Sequence, residues 1–391
     1  MDDQQPTRQR RDIFFAFLKL GFTAFGGPIA HIGYFREAFV VSRRWISEDR
    51  FASLLALCQF LPGPASSQLG FAIGLSRGGY VGALLAWTAF TLPSAFALML
   101  FAYAAGTLSD GLGAQIIGGL KIAAVAVVAH ALAGMARALT PDAKRAGIAV
   151  LSIAILALSP GPIGQIAAIV AGAVAGWLLL EAGRIPDEAS MGLAVSRRVA
   201  IGCLAVFALL LAGLPLLAAT APLAELLSGI YRAGALVFGG GHVVLPLLEA
   251  ETVAPGFVSD DAFLAGYGAA QAVPGPLFTF AAYLGTEAGG PVWGALALVA
   301  VFVPGMLLLV GVLPFWNALS ASPRIRAMLA GANAAVVGIL AAALYDPVFT
   351  SGIEGLPSFA LASLCFVMLH GWKAPPVAVV LVAAIGGPIV L

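Results

Sequence analysis

Gln59, Pro62, Gly63 and Pro64 interrupt an apolar stretch, and the same Gln-x-x-Pro-Gly-Pro spacing returns at Gln271, Pro274, Gly275 and Pro276, 212 positions later. An interior proline costs a helix about 3 kcal/mol, and in lipid the freed backbone groups need protein or a water-lined cavity to satisfy them. A break of this kind starts a new helix inside the bilayer. Pro64 suits the first helical position, where its missing N–H costs nothing. The amides of Ala65, Ser66 and Ser67 then point at the break with no helical acceptor. Pro276 to Thr279 repeats the arrangement, as do Gly27-Pro28-Ile29-Ala30 and Gly240-Gly241-His242-Val243. Each helix start carries roughly half a positive charge, so four that converge make an anion site.

The residues around the breaks suit that chemistry. Gly26, Gly27, Gly239, Gly240 and Gly241 let the backbone approach a ligand with no Cβ in the way; close helix packing is the alternative use for glycines in a membrane. Lys121 stands in the apolar run 116–129, where a cation is a functional candidate, with snorkelling as the other reading. Its repeat mate is Asn333, polar but neutral, so the site would be asymmetric. Glu37 and Glu249 are equivalent and could carry a coupling proton or form interface ion pairs. His31 and His242 lie beside the breaks without being repeat mates, as proton relays or as helix-start histidines with satisfied partners.

These residues need long membrane helices to hold them. The chain of 391 residues is 61% hydrophobic and 10% charged, with mean hydropathy +0.99. Soluble domains are about a quarter charged, so this composition describes an integral membrane protein. A net charge of +1 offers nucleic acid nothing to bind. Cys58, Cys203 and Cys365 are isolated in apolar runs, with neither metal-ligand nor disulfide spacing. The polar first dozen residues and the lack of a small-residue cleavage site argue against a cleaved signal peptide. No metal, ATP or dinucleotide motif is present, so no cofactor is expected. Gly74-Leu75-Ser76-Arg77-Gly78 fits a hydrolase nucleophile pattern, but a membrane helix precedes it where a strand is required.

Thirteen apolar runs long enough to cross or nearly cross a bilayer can be counted, at 13–34, 51–74, 80–108, 115–138, 146–158, 162–181, 198–219, 228–249, 262–286, 291–318, 326–345, 357–371 and 374–391. Matches at offsets of 211 to 213 make the halves repeats: Phe25-Gly26-Gly27 with Phe238-Gly239-Gly240, Glu37 with Glu249, Pro93 with Pro304, and Gly119 with Gly331. Seven runs precede the second copy, an odd number, so that copy should be inverted. The expected organisation is a cytoplasmic segment 1–12, a first repeat 13–181, a linker 182–197, a connecting span 198–219 and a second repeat 220–391.

Positive charge bears on the path. Arg36, Arg43, Arg44 and Arg50 crowd one loop, whereas 250–261 holds Glu251, Asp260 and Asp261 and no Lys or Arg. Thirteen straight spans would put both loops on the wrong side of the positive-inside rule. Re-entrant hairpins at Gly26-Gly27, Pro62-Gly63-Pro64 and their copies put both on the expected side; ordinary proline kinks are the competing reading. The fold class expected is therefore an all-α polytopic membrane protein, two inverted-topology repeats with broken or re-entrant helices meeting near the membrane midplane.

The motifs Phe25-Gly26-Gly27-Pro28-Ile29-Ala30-His31, Gln59-x-x-Pro62-Gly63-Pro64-x-Ser66-Ser67-Gln68, Phe238-Gly239-Gly240-Gly241-His242 through Glu249, and Gln271-x-x-Pro274-Gly275-Pro276 resemble the signatures of the chromate ion transporter family in its long, two-domain form. The resemblance covers nearly the whole chain after residue 12. It implies gradient-driven efflux of chromate, a tetrahedral dianion of sulfate's shape, across a bacterial cytoplasmic membrane. The breaks themselves argue only for an anion transporter. Uptake of sulfate or another oxyanion is the rival function, and a membrane-embedded hydrolase the outsider. Beyond the oxyanion and the lipid bilayer, a homodimer is left open as a partner.

Overall fold

The computed structural model describes residues 4–107, 111–181, 193 and 195–391. Residues 1–3, 108–110 and most of the linker 182–197 lie outside them. Every regular element among the described residues is helical.

The first half opens with α1 (Gln4–Thr23), which ends where Gly26 and Gly27, at φ 99° and 74°, turn the chain into α2 (Gly27–Arg36). Only glycine takes that backbone without strain. Phe17 of α1 stacks on Phe39, just beyond α2, and meets Phe35 of α2 edge-on, so α2 runs back along α1. Next, α3 (Glu48–Phe60), capped by Ser47 on the Arg50 amide, runs inward to Pro62-Gly63-Pro64. The chain leaves by α4 (Ala65–Thr107), which reverses at Gly78-Gly79 into limbs 65–77 and 80–107. The outer ends of these pieces meet: Gln9 donates to the Arg77 carbonyl, and the Arg43 and Arg77 guanidiniums lie 5.5 and 5.4 Å from the Trp45 ring. Both pairs are hairpins that return to the end they came from.

α5 (Leu112–Leu139), α6 (Ala143–Leu158), α7 (Pro162–Leu179) and α8 (Arg197–Ala218) follow. The second half repeats the order with α9 (Pro222–Ala235), α10 (Val244–Thr252), α11 (Asp260–Ala272), α12 (Phe280–Gly289) and α13 (Pro291–Val312). The short α14 (Trp316–Ala321) precedes α15 (Pro323–Ala343), and α16 (Thr350–Gly352) precedes α17 (Leu356–His370) and α18 (Pro376–Val390). Again the short helices are hairpins: Arg232 of α9 grips Glu251 of α10, and the Tyr283 hydroxyl of α12 donates 2.8 Å to Ala262 O of α11.

The halves exchange their last helices. α6 and α7 pack on α15, while α17 and α18 pack on α5. The repeat-mate glycines Gly331 and Gly119 make these contacts close: a Cβ would fall 2.1 Å from Gly172 O at Gly331 and 2.2 Å from Ala383 O at Gly119. Small residues at helix crossings replace the hydrophobic drive that lipid cannot supply. Symmetry fails at the hairpins. α11 packs on α5 and α18 and α10 on α7 and α15, whereas α2 and α3 pack mainly on α4.

Following the path, Arg77, Arg137 and Lys373 fall at one end of the bundle and Asp261, Glu287 and Glu354 at the other. Among the described residues, six helices are long and apolar enough to cross a membrane. α8, with only 6% of its most apolar window buried, turns Leu209 and Leu216 outward. Apolar surface on that scale belongs in lipid.

Candidate anion-binding site

The four breaks touch. The Gly63 amide donates 2.7 Å to the Val237 carbonyl, just ahead of Phe238-Gly239-Gly240. The Gly275 amide donates 2.9 Å to the Ala24 carbonyl, just ahead of Phe25-Gly26-Gly27. Ala24 and Val237 are repeat mates, as are Gly63 and Gly275, so each Pro-Gly-Pro break is held by the opposite half. Gly241 sits against Pro28: a Cβ there would meet its Cγ at 2.7 Å. The N-termini of α2, α4, α10 and α12 therefore start from one locus, the geometry that favours an anion.

The glycines divide into two kinds. A Cβ at Gly27 or at its mate Gly240 meets nothing within 4 Å. These two face open space. A Cβ at Gly63 would strike Gln68 Nε2 at 2.9 Å and Gly305 Cα at 3.0 Å, and one at Gly275 would strike Ser94 Oγ at 2.7 Å. The Pro-Gly-Pro glycines are thus required by protein packing, where the sequence suggests approach to a ligand. Gly26 is exposed, and Gly239 lies against Leu139, Met135 and Asn333.

The polar side chains fall into three sets. Ser67 Oγ, Gln68 Oε1 and Gln271 Nε2 are buried at the breaks with no hydrogen-bond partner. Buried polar atoms are nearly always paired, so these three are a reserve for a bound solute or water. Others are already engaged. His31 Nε2 lies 3.1 Å from the Ala24 carbonyl and its Nδ1 3.4 Å from Ser66 Oγ. His242 Nδ1 lies 2.7 Å from the Tyr267 hydroxyl. Gln68 Nε2 donates to Pro62 O and Gly305 O. The amide and hydroxyl of Thr279 both go to Pro276 O, in a 3₁₀ turn that precedes α12, so neither is free for a ligand. A 3₁₀ turn from Gly241 likewise precedes α10. Gln59, Pro62, Pro64, Pro274 and Pro276 shape the breaks; of these Gln59 is exposed and Pro64 and Pro276 are buried.

A third set lies away from the locus. Lys121 Nζ is 2.8 Å from Asp261 Oδ1, ten residues and about 15 Å of helix from Gln271. The pair borders a cleft of about 500 Å³ with Gln115, Tyr283, Glu287 and Glu354. Its mate Asn333 does face the Gly239 break, so the wedged α11 makes equivalent positions unequal. Glu37 is exposed at the start of a π-turn that ends at Ser42. Glu249 is half buried. The buried acid of α10 is instead Glu251, held by Arg232 at 2.5 and 2.6 Å. Ser76 donates to Ile73 O inside a helix, at 2.8 Å, and not from a strand-to-helix elbow.

A multi-pass helical membrane protein with half-length helices abutting head-on has the form of a solute transporter. The family model for Chromate transporter matches residues 11–177 and 224–388. The chain belongs to that family. It is 30% identical to a chromate transport protein of Pseudomonas aeruginosa over 97% of this chain and 92% of that protein. A probable chromate transport protein of Synechococcus elongatus is 28% identical over 95% of this chain and 93% of its own length. A chromate transport protein of Cupriavidus metallidurans is 27% identical over 94% and 90%. No solved structure matches the chain.

Proposed function

We propose that this protein is a secondary transporter that exports chromate across a bacterial inner membrane and so confers resistance to it. Its halves act as inverted repeats around one shared oxyanion site. The observation that carries this reading is the reciprocal clasp, Gly63 to Val237 and Gly275 to Ala24, which gathers four helix N-termini beside three unpartnered buried polar atoms. Chromate brings two negative charges and four acceptor oxygens, and backbone amides with Ser67 and Gln271 are donors suited to it. Neither Ser67 nor Gln271 offers a chemical step, so the site binds and releases its solute unchanged. The basic end of the bundle faces the cytoplasm by the positive-inside rule.

The test is chromate accumulation in cells with and without the protein, alongside labelled sulfate. Lower chromate in expressing cells is the predicted result. Raised uptake of sulfate with unchanged chromate would assign the same site to sulfate import.

A further inference from the structure

Beyond the clasp, α5 and α17 bring a second group of basic residues together at the Arg137 and Lys373 end. The His130 and His370 rings are 5.5 Å apart, edge to face, and His370 stacks on Phe366 at 5.3 Å. Arg137 Nη2 is 3.3 Å from His370 Nε2. A guanidinium can only donate, so Nε2 accepts and a neutral His370 carries its hydrogen on Nδ1. That Nδ1 is buried with no partner, and so is Nδ1 of His130. Lys373 follows the end of α17 three residues after His370. Neither Arg137 nor Lys373 is paired with a carboxylate among the described residues.

Cations without a carboxylate partner, beside buried ring nitrogens without any partner, call for an anion. The cluster adjoins the break: on either side of Arg137 along α5, Met135 and Leu139 lie against Gly239. We propose that Arg137, His130, His370 and Lys373 form a docking site for a divalent tetrahedral oxyanion, from which the solute passes to the break at Gly239–His242. The transport reading supplies the solute, and the docking site is where that solute is first desolvated. Arg137 supplies fixed charge, His370 Nδ1 supplies a directed hydrogen bond, and His130 adds a second buried ring nitrogen without a partner.

The test combines equilibrium dialysis of labelled chromate against the purified detergent-solubilised protein with initial rates in oriented vesicles. Gly240→Ala, which adds a methyl at the break on a backbone at φ 146° and is therefore compared at matched amounts of folded protein, leaves the docking site as the remaining place to bind. In that background Arg137→Gln is expected to weaken chromate binding roughly tenfold, the size of one lost charge-assisted hydrogen bond. In vesicles, Arg137→Gln and His130→Gln raise KM for chromate offered at the basic end, keep kcat within about twofold, and leave KM from the acidic end unchanged. Arg137→Lys restores part of the affinity. Unchanged binding in Arg137→Gln, or an equal KM change from both ends, overturns the docking site. A protein that binds chromate through Arg137 but never moves it would keep the docking site and overturn the transport reading instead.

Discussion

The amide of Gly63 reaches the carbonyl of Val237 across 174 positions of chain, and the repeat-mate amide of Gly275 reaches Ala24 in the same way. Each Pro-Gly-Pro break therefore depends on the other half for one hydrogen bond. A broken helix in lipid is tolerated only when protein or water satisfies its freed backbone, and here the halves do this for each other. The breaks are stable as a pair and not singly.

Packing makes the first prediction. Gly63→Val and Gly275→Val place side chains against Gln68 and Ser94, on backbones at φ 123° and 105°. Both variants are expected to lose folded protein, with thermal stability falling by several °C, about what 1–2 kcal/mol of left-handed strain produces before any clash is added. Fluorescence-detected size exclusion after heating measures it. Wild-type stability in either variant would show that the breaks relax freely.

The hairpins fix which loops share a side. Ser42 and Ala254 are both exposed, whereas Thr252, in the same acidic loop region, is buried and donates to Leu248 O. Cysteines at positions 42 and 254, in a background lacking Cys58, Cys203 and Cys365, should react with an impermeant reagent from opposite faces of the membrane. Labelling of both from outside would rule out the re-entrant path.

For Lys121 the ion pair gives a test with opposite signs. If the amine serves passing anions in the cleft, Asp261→Asn frees it and lowers KM for chromate, while Lys121→Gln raises KM. Asp261 is largely exposed, so breaking the pair costs stability only about 0–1 kcal/mol. Changes of the same sign in both variants would leave Lys121 a structural partner of Asp261.

Arg232 and Glu251 are the buried pair that locks α9 to α10. Removing one partner strands the other, so Glu251→Gln should destabilise the protein by about 3–5 kcal/mol, and Arg232→Met with Glu251→Leu should recover much of it. Thermal melts of the two proteins decide this. A single variant as stable as the wild type would mean that water reaches the pair.

Much of this architecture is legible in the chain itself because it is local. Proline and glycine at 62–64 and 274–276 force breaks wherever the helices lie, and loop charge marks the hairpins. The contacts that define the site are not local. Gly63 meets Gly305, Lys121 meets Asp261 and His130 meets His370 only after the helices of the two halves interleave, which no short-range pattern encodes. The unequal fates of Lys121 and Asn333 have the same origin, since α11 wedges against α5 with no counterpart for α3. Sequence symmetry predicts equal positions, and packing makes them different.

The central claim is one oxyanion site shared by both halves, and Gly27 and Gly240 test it most directly because a methyl there meets no protein atom, its cost to the fold being confined to backbone strain at φ 74° and 146°. Initial rates of labelled chromate flux should be measured in vesicles carrying Gly27→Ala or Gly240→Ala, at matched amounts of folded protein. Loss of most flux per folded protein in both, with sulfate competition abolished, is the predicted result, thermal melts recording the separate cost of backbone strain. Wild-type flux in either one would contradict a site built jointly by the two halves.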